Sequence, residues 1–231
     1  MNENPRLTYQ ISITKEELAA LPAAHFHGEI SLIEKPEEVS AAVARLRECD
    51  VVGFDTETRP SFKKGQTNIV SLLQLSTRDI CYLIRLNHIG LTDELKQLLE
   101  DPDVLKVGLS IHDDFHNLNK IASIEPRGFV DLQNYVKDFN ISDNSLTKIY
   151  GIVFGKRISK GQRLTNWEAS QLTESQQAYA ALDAMACIDI YDKVSSGQFD
   201  PLQSPYLREI AEDRPDESQG AAETPEKNSD K

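Results

Sequence analysis

The fold turns on one stretch, Val51-Val52-Gly53-Phe54-Asp55-Thr56-Glu57-Thr58-Arg59-Pro60. A short apolar run that ends in a charge reads as a buried strand stopping at a sheet edge. Residues at i and i+2 of a strand share a face, so Asp55 and Glu57 are delivered together. Two neighbouring carboxylates repel, and the pattern has two explanations. Either the pair shares divalent cations, for which hard oxygen ligands suit Mg²⁺ or Mn²⁺, or the tripeptide merely ends a strand in solvent.

Outward from this strand the pattern is regular. Pro36 in a first helical turn, with Val39, Val43 and Leu46 at helical spacing, predicts a helix over 36–48. Ile69 to Leu75 and Ile80 to Ile84 are two more β-rich runs, joined by the turn Ser76-Thr77-Arg78-Asp79, and imply an antiparallel meander. After Gly90 the elements alternate: helix 92–100, strand 104–109, helix 113–122, strand 128–131, helices near 132–139 and 145–151, and a long helix over 173–195. Strands first, then helices interleaved with strands, predict an α/β fold in which a mixed sheet is flanked by helices. No internal repeat is visible.

The flanks differ from this domain, expected over 31–200. Residues 1–30 read as a flank packed on it, with a strand near Gln10 to Ile13 and a short helix led by Thr14, where Glu17 completes a capping box. In residues 201–231 Pro, Ser, Glu and Gly replace aliphatics, and eight acidic against four basic side chains give −4. That composition predicts an acidic, disordered tail.

Composition narrows the class. Of 231 residues, 39% are hydrophobic and 27% charged, which excludes collagen-like and coiled-coil chains. Lys and Arg number 25 against 37 Asp and Glu, a net −12 that opposes coating by a polyanion yet leaves room for recruitment by a local basic patch or a bound metal. No run approaches the roughly 20 apolar residues of a membrane span, and MNENPRLTYQ lacks the order of a secretory signal, so the expectation is a protein that stays where it is made. Cys49, Cys81 and Cys187 are odd in number and widely spaced, which argues against a disulfide framework or zinc site and for a reducing cytoplasm.

Three further patterns carry chemistry. In Val107-Gly108-Leu109-Ser110-Ile111-His112-Asp113-Asp114 a strand runs into a helix whose first turn holds two acids, where the helix dipole favours them. Capping accounts for one. Asp114 stands four residues before Leu118 on one stripe and is the better inward-facing ligand, with Asp113 the second choice. In the segment from Leu172 to Ala184, Thr173 and Gln176 form a capping box, and Tyr179 and Asp183 share a face among small alanines. An Ala-rich helix is also simply a good helix. Between these lies a loop with Lys156, Arg157, Lys160 and Arg163 and no acid, either a phosphate-contacting patch or a solvated loop, ending at Trp167, a core aromatic or a base platform. Arg59, Lys63 and Lys64 can line the same groove.

Taken in order, the DxE at a strand end, the Asp at a helix start and the YxxxD on a late helix resemble the DEDDy-type 3′–5′ exonucleases of the ribonuclease D and Werner exonuclease group. The resemblance spans about residues 49–195, through GFDTETRP, IVSLLQLS, VGLSIHDD and NWEASQLTESQQAYAALDAMACIDIY. It implies a ribonuclease H-like mixed sheet and two divalent cations, Mg²⁺ or Mn²⁺, held by Asp55, Glu57, Asp114 and Asp183. Tyr179 would orient the attacking water, Glu57 would also meet a terminal 3′-hydroxyl, and the substrate would be nucleic acid, single-stranded 3′ ends above all. Gln74 and Leu75 are either contacts to the terminal nucleotide or plain strand interior. Lys156, Lys160, Arg163 and Trp167 are the other candidate substrate contacts, and Asp131 a neighbouring acid or a turn residue. No appended helicase or helical accessory domain is expected. The competing readings are an inactive binding module of the same fold and a phosphohydrolase acting on small nucleotides.

Overall fold

The meander expected around the DxE strand is the centre of the molecule. A computed structural model of the protein describes residues 9–63, 65 and 68–210. The chain begins with β1 (Tyr9–Ile11) and α1 (Lys15–Ala20), the helix opened by a complete Thr14/Glu17 capping box. It continues with β2 (Glu29–Ile33), a 3₁₀ turn at Pro36–Glu38, α2 (Val39–Arg47) and the meander β3 (Val52–Thr58), β4 (Val70–Ser76) and β5 (Ile80–Ile84). Then come α3 (Leu86–Ile89), α4 (Asp93–Glu100), β6 (Lys106–Gly108), α5 (His112–Leu118), β7 (Phe129–Asp131), α6 (Leu132–Tyr135) and α7 (Leu146–Phe154). The last elements are α8 (Glu174–Ser195), a 3₁₀ turn at Pro201–Gln203 and β8 (Leu207–Glu209).

Six strands form one mixed sheet in the order β2-β5-β4-β3-β6-β7. β3, β4 and β5 are antiparallel neighbours, while β2 runs parallel to β5, β6 to β3 and β7 to β6. Strand alternation divides the core. Val52, Phe54, Leu73, Leu75, Tyr82 and Ile84 pack with α2 and α4 on one face. On the other, Leu72, Cys81 and Leu83 pack with Trp167 and the alanines of α8. Asp55 and Glu57 pair in register with Gln74 and Leu72, which puts both acids on the face that α8 covers.

Two expectations need correction. The sequence reading passed over β2, although Glu29-Ile30-Ser31-Leu32-Ile33 alternates polar and apolar residues; it completes the sheet edge by parallel pairing to β5, a partner remote in sequence. The stretch expected to be disordered from residue 201 instead folds through residue 210: β8 pairs with β1, and Arg208 donates to Glu17. The remainder of the expected tail, 211–231, lies outside the described residues.

Candidate active site

The four acids reach the same end of the sheet from three elements. Asp55 and Glu57 come from β3, Asp114 from the first turn of α5 where β6 ends, and Asp183 from the middle of α8. α8 lies so close to β3 because residue 53 is glycine: a Cβ there would stand 2.1 Å from the Ala184 carbonyl oxygen. The small alanines beside Tyr179 and Asp183 complete that contact, with Ala180, Ala181 and Ala184 fully buried.

The acids feel one another. Asp55 is pushed well above the ordinary carboxyl range by burial, then by Asp183, Asp114 and Glu57. Burial, then Asp183 and Asp114, push Glu57 up to about 9, with Arg163 opposing. Asp183 rises to about 7 through burial, restrained by a hydrogen bond from Tyr179 and by the charge of Lys160. Asp114 rises to about 6 through burial, held back by the hydroxyl of Thr56, which donates to its carboxyl. Its neighbour Asp113 points into solvent beside His112. Burial and the nearby acids raise the Tyr179 phenol far above its usual range, so it keeps its proton.

No ion pair among the described residues involves any of these four carboxyls. As the side chains lie, no group of three or more His, Cys, Asp or Glu among the described residues stands close enough to hold a metal ion. The donor set nonetheless fits hard divalent cations: four buried or half-buried carboxyls form no ion pair among the described residues, Asp183 and Asp114 raise the proton affinity of Asp55 and Glu57, and a cation drawing the acids inward would relieve that repulsion.

The surroundings sort the other candidates. Lys160 and Arg163 line a cavity of about 370 Å³ with Tyr179 and Asp183, which Ser110, Gln133 and Thr147 also line. Lys156 is exposed and its charge acts on Asp189, farther along α8. Arg59 pairs with Glu168 at 3.0 Å, which joins the loop after β3 to the loop before α8. Lys63 is exposed on the former loop, and Lys64 lies outside the described residues. Asp131 accepts from the backbone N–H groups of Ser110 at 2.8 Å and Gln133 at 2.9 Å, the turn-and-cap role.

Three candidate substrate contacts must be corrected. Trp167 has no exposed surface and packs under α8, tilted against Tyr179 at 6.2 Å, so it is core and not a base platform. Leu75 is equally buried on the opposite face, against Phe54 and Tyr82, because its parity along β4 differs from that of the acids. Gln74 is on the acid face but fully enclosed, out of reach of a nucleotide.

Sequence reasoning missed three features. Thr56, between the two acids of the first motif, is the hydrogen-bond partner of Asp114. Ser110 takes a positive φ of 61° where the chain leaves β6 for α5, a conformation uncommon for a residue other than glycine, with nothing in the text to announce it. The flank enters the site as well: Pro22 and Ala24 exchange backbone hydrogen bonds with Arg157, and His25 and Phe26 wall a second cavity of about 300 Å³ against Ser159, Gln162 and Tyr179.

Comparison with known proteins accords with this geometry. A family described as 3′-5′ exonuclease matches residues 30–196. The chain is 34% identical over 158 residues to the bifunctional 3′-5′ exonuclease/ATP-dependent helicase WRN of Mus musculus, covering 66% of this chain and 11% of that protein. It is 27% identical over 199 residues to the exonuclease mut-7 homolog of Aedes aegypti, covering 75% and 27%. The chain thus spans about a tenth to a quarter of the length of these two relatives. Among solved structures, the Aedes aegypti Nibbler EXO domain shares the fold at a TM-score of 0.68 and 24% identity, covering 78% of this chain and 96% of that one. The sheet, the helices on its faces and the matched family agree, and the chain belongs to the 3′-5′ exonuclease family.

Proposed function

We propose that this protein is a metal-dependent 3′-5′ exonuclease that hydrolyses phosphodiester bonds from the 3′ end of nucleic acid, DNA or RNA, with single-stranded ends the readiest substrate. The observation that carries the reading is the set of four carboxyls from three elements, brought together without an ion pair among the described residues, in a chain of this family.

In this reading Asp55, Glu57, Asp114 and Asp183 hold two divalent cations, Mg²⁺ or Mn²⁺. Bound there, the cations would supply activation of the nucleophile and neutralisation of charge on the transition state and the leaving oxygen. Tyr179 orients the attacking water by hydrogen bonding. Lys160 and Arg163 line the cavity with Asp183 and contact substrate phosphates. Glu57 can also meet the terminal 3′-hydroxyl, which selects an end over an internal bond. Three unpaired thiols suit a reducing cytoplasm, and among the described residues no helix is long and apolar enough to cross a membrane.

The test is digestion of 3′- and 5′-labelled single-stranded DNA and RNA oligonucleotides with Mn²⁺, Mg²⁺ or EDTA, with Asp55→Ala as the contamination control. Metal-dependent ladders shrinking from the 3′ end and absent in the variant are the expected result. Metal binding without cleavage of either polymer would leave an inactive binding module.

A further inference from the structure

Among the described residues, Gln74 has both polar side-chain atoms fully buried and without a hydrogen-bond partner. The position is unfavourable for an amide. Along β4 its face carries Leu72 on one side, its register partner on β5 is Leu83, and Ala180, Ala181 and Ala184 of α8 cover the same patch. A buried donor and acceptor without partners are costly, and an apolar side chain of similar shape would avoid that cost.

Its other register partner is Asp55. Residues directly opposite on an antiparallel pair have Cβ atoms roughly 4.5 to 5.5 Å apart and project from the same face. Among the described residues, the only hydrogen bond to the Asp55 carboxyl comes from the backbone N–H of Thr56, at 2.8 Å. An amide with nothing to donate to therefore lies across from a carboxyl with capacity to accept.

We propose that Gln74 is a positioning residue for the acid cluster: its Nε2–H is the donor that holds the Asp55 carboxylate in place when a divalent cation binds. The inference rests on the functional reading above, which places the cation at Asp55. Carboxylates that ligate metals are themselves hydrogen-bonded, and loss of such a partner weakens metal affinity or activity by about 10- to 100-fold. Gln74 then acts through Asp55 and never touches the nucleic acid.

Gln74→Met keeps the side-chain length and removes the amide. Without metal its melting temperature should rise by a few degrees. Mn²⁺ should bind about 10-fold more weakly by calorimetry, the Mn²⁺-induced rise in melting temperature should shrink, and kcat should fall with KM for an oligonucleotide unchanged. Mn²⁺ affinity equal to that of the unaltered protein, or an effect confined to KM, would overturn the proposal. The side-chain amide resonances of Gln74 in the unaltered protein, followed as Mg²⁺ is added, supply a readout that needs no variant to fold. They should shift if the amide takes up a partner and stay fixed if it is inert core. A protein that binds ions and shows the effects on Mn²⁺ affinity, melting temperature and amide resonances yet cleaves no polymer would sink the nuclease reading and leave this one standing; a protein that binds no ion would sink both.

Discussion

Gly53 and Ala184 set the distance between two acids. The Cβ that Gly53 lacks would lie 2.1 Å from the Ala184 carbonyl oxygen and 3.1 Å from Ile188 Cγ1, so α8 rests directly on the backbone of β3. Asp55 follows Gly53 by two residues and Asp183 precedes Ala184 by one. Gly53→Ala must push helix and strand apart, an overpacking that costs about 1 to 3 kcal/mol. The expected outcome is a lower melting temperature together with weakened Mn²⁺ binding, checked by scanning calorimetry and metal titration on the same sample. Unchanged metal affinity in the destabilised variant would mean that this contact does not set the acid geometry.

Removing one acid should separate function from stability. Asp183→Asn or Asp55→Asn is expected to lower exonuclease activity at least about 100-fold. The same change relieves a buried carboxyl whose proton affinity is raised and should stabilise the metal-free protein at pH 8. Chemical denaturation in EDTA measures it, and a metal-free variant less stable than its parent would contradict the argument.

The pH profile of the metal-free protein has a definite sign. Asp114, Asp183 and Glu57 are raised from ordinary values of 3.8, 3.8 and 4.5 to about 6, 7 and 9. A raised carboxyl holds its proton longer in the folded state than in the unfolded one, so its stabilisation is complete below about pH 4 and is lost as pH climbs through the folded value. In EDTA the melting temperature should fall between about pH 4 and 9, whereas saturating Mn²⁺ or Mg²⁺ should flatten the profile. A rise over that window in EDTA would contradict it.

Tyr179→Phe should slow the chemical step by about 100-fold and weaken ion binding far less, because the hydroxyl that orients the water is lost while all four carboxyls remain. Single-turnover rates and Mn²⁺ calorimetry separate the two effects. Equal loss of both would make Tyr179 a support of the ion site instead.

The basic loop should divide by direction. Lys160→Ala and Arg163→Ala are expected to raise KM for oligonucleotides and each to reduce the salt slope of binding by about 1. Lys156→Ala, whose charge acts on Asp189, should do neither. Fluorescence titrations at several salt concentrations decide, and three equal effects would return the loop to a diffuse electrostatic role.

What could be read beforehand was local. Asp55 with Glu57 and Tyr179 with Asp183 lie at spacings that fix a shared face whatever the tertiary structure, and the capping boxes at Thr14 and Thr173 mark helix starts in the text itself. Asp114 was separable from Asp113 because helix periodicity tied it to Leu118. The errors depended on partners remote in sequence. Leu75 and Gln74 are adjacent yet face opposite sides of the sheet, and only the register with β3 says which side holds the acids. Trp167 is enclosed by α8 and two strands that no local pattern connects to it. β2 and β8 are short and stabilised by pairing with strands far along the chain, and the wall made by His25 and Phe26 exists only because the flank is hydrogen-bonded to Arg157.

The pairing of β1 with β8 has a mechanical consequence. Tyr9 lies opposite Glu209, so the chain enters and leaves the domain at the same end of a three-residue antiparallel clasp. Tension applied through the two ends loads those hydrogen bonds one after another, as in opening a zipper, and not all at once in shear. The clasp should yield at low force, leaving the six-stranded sheet and its acids under no load until it has parted.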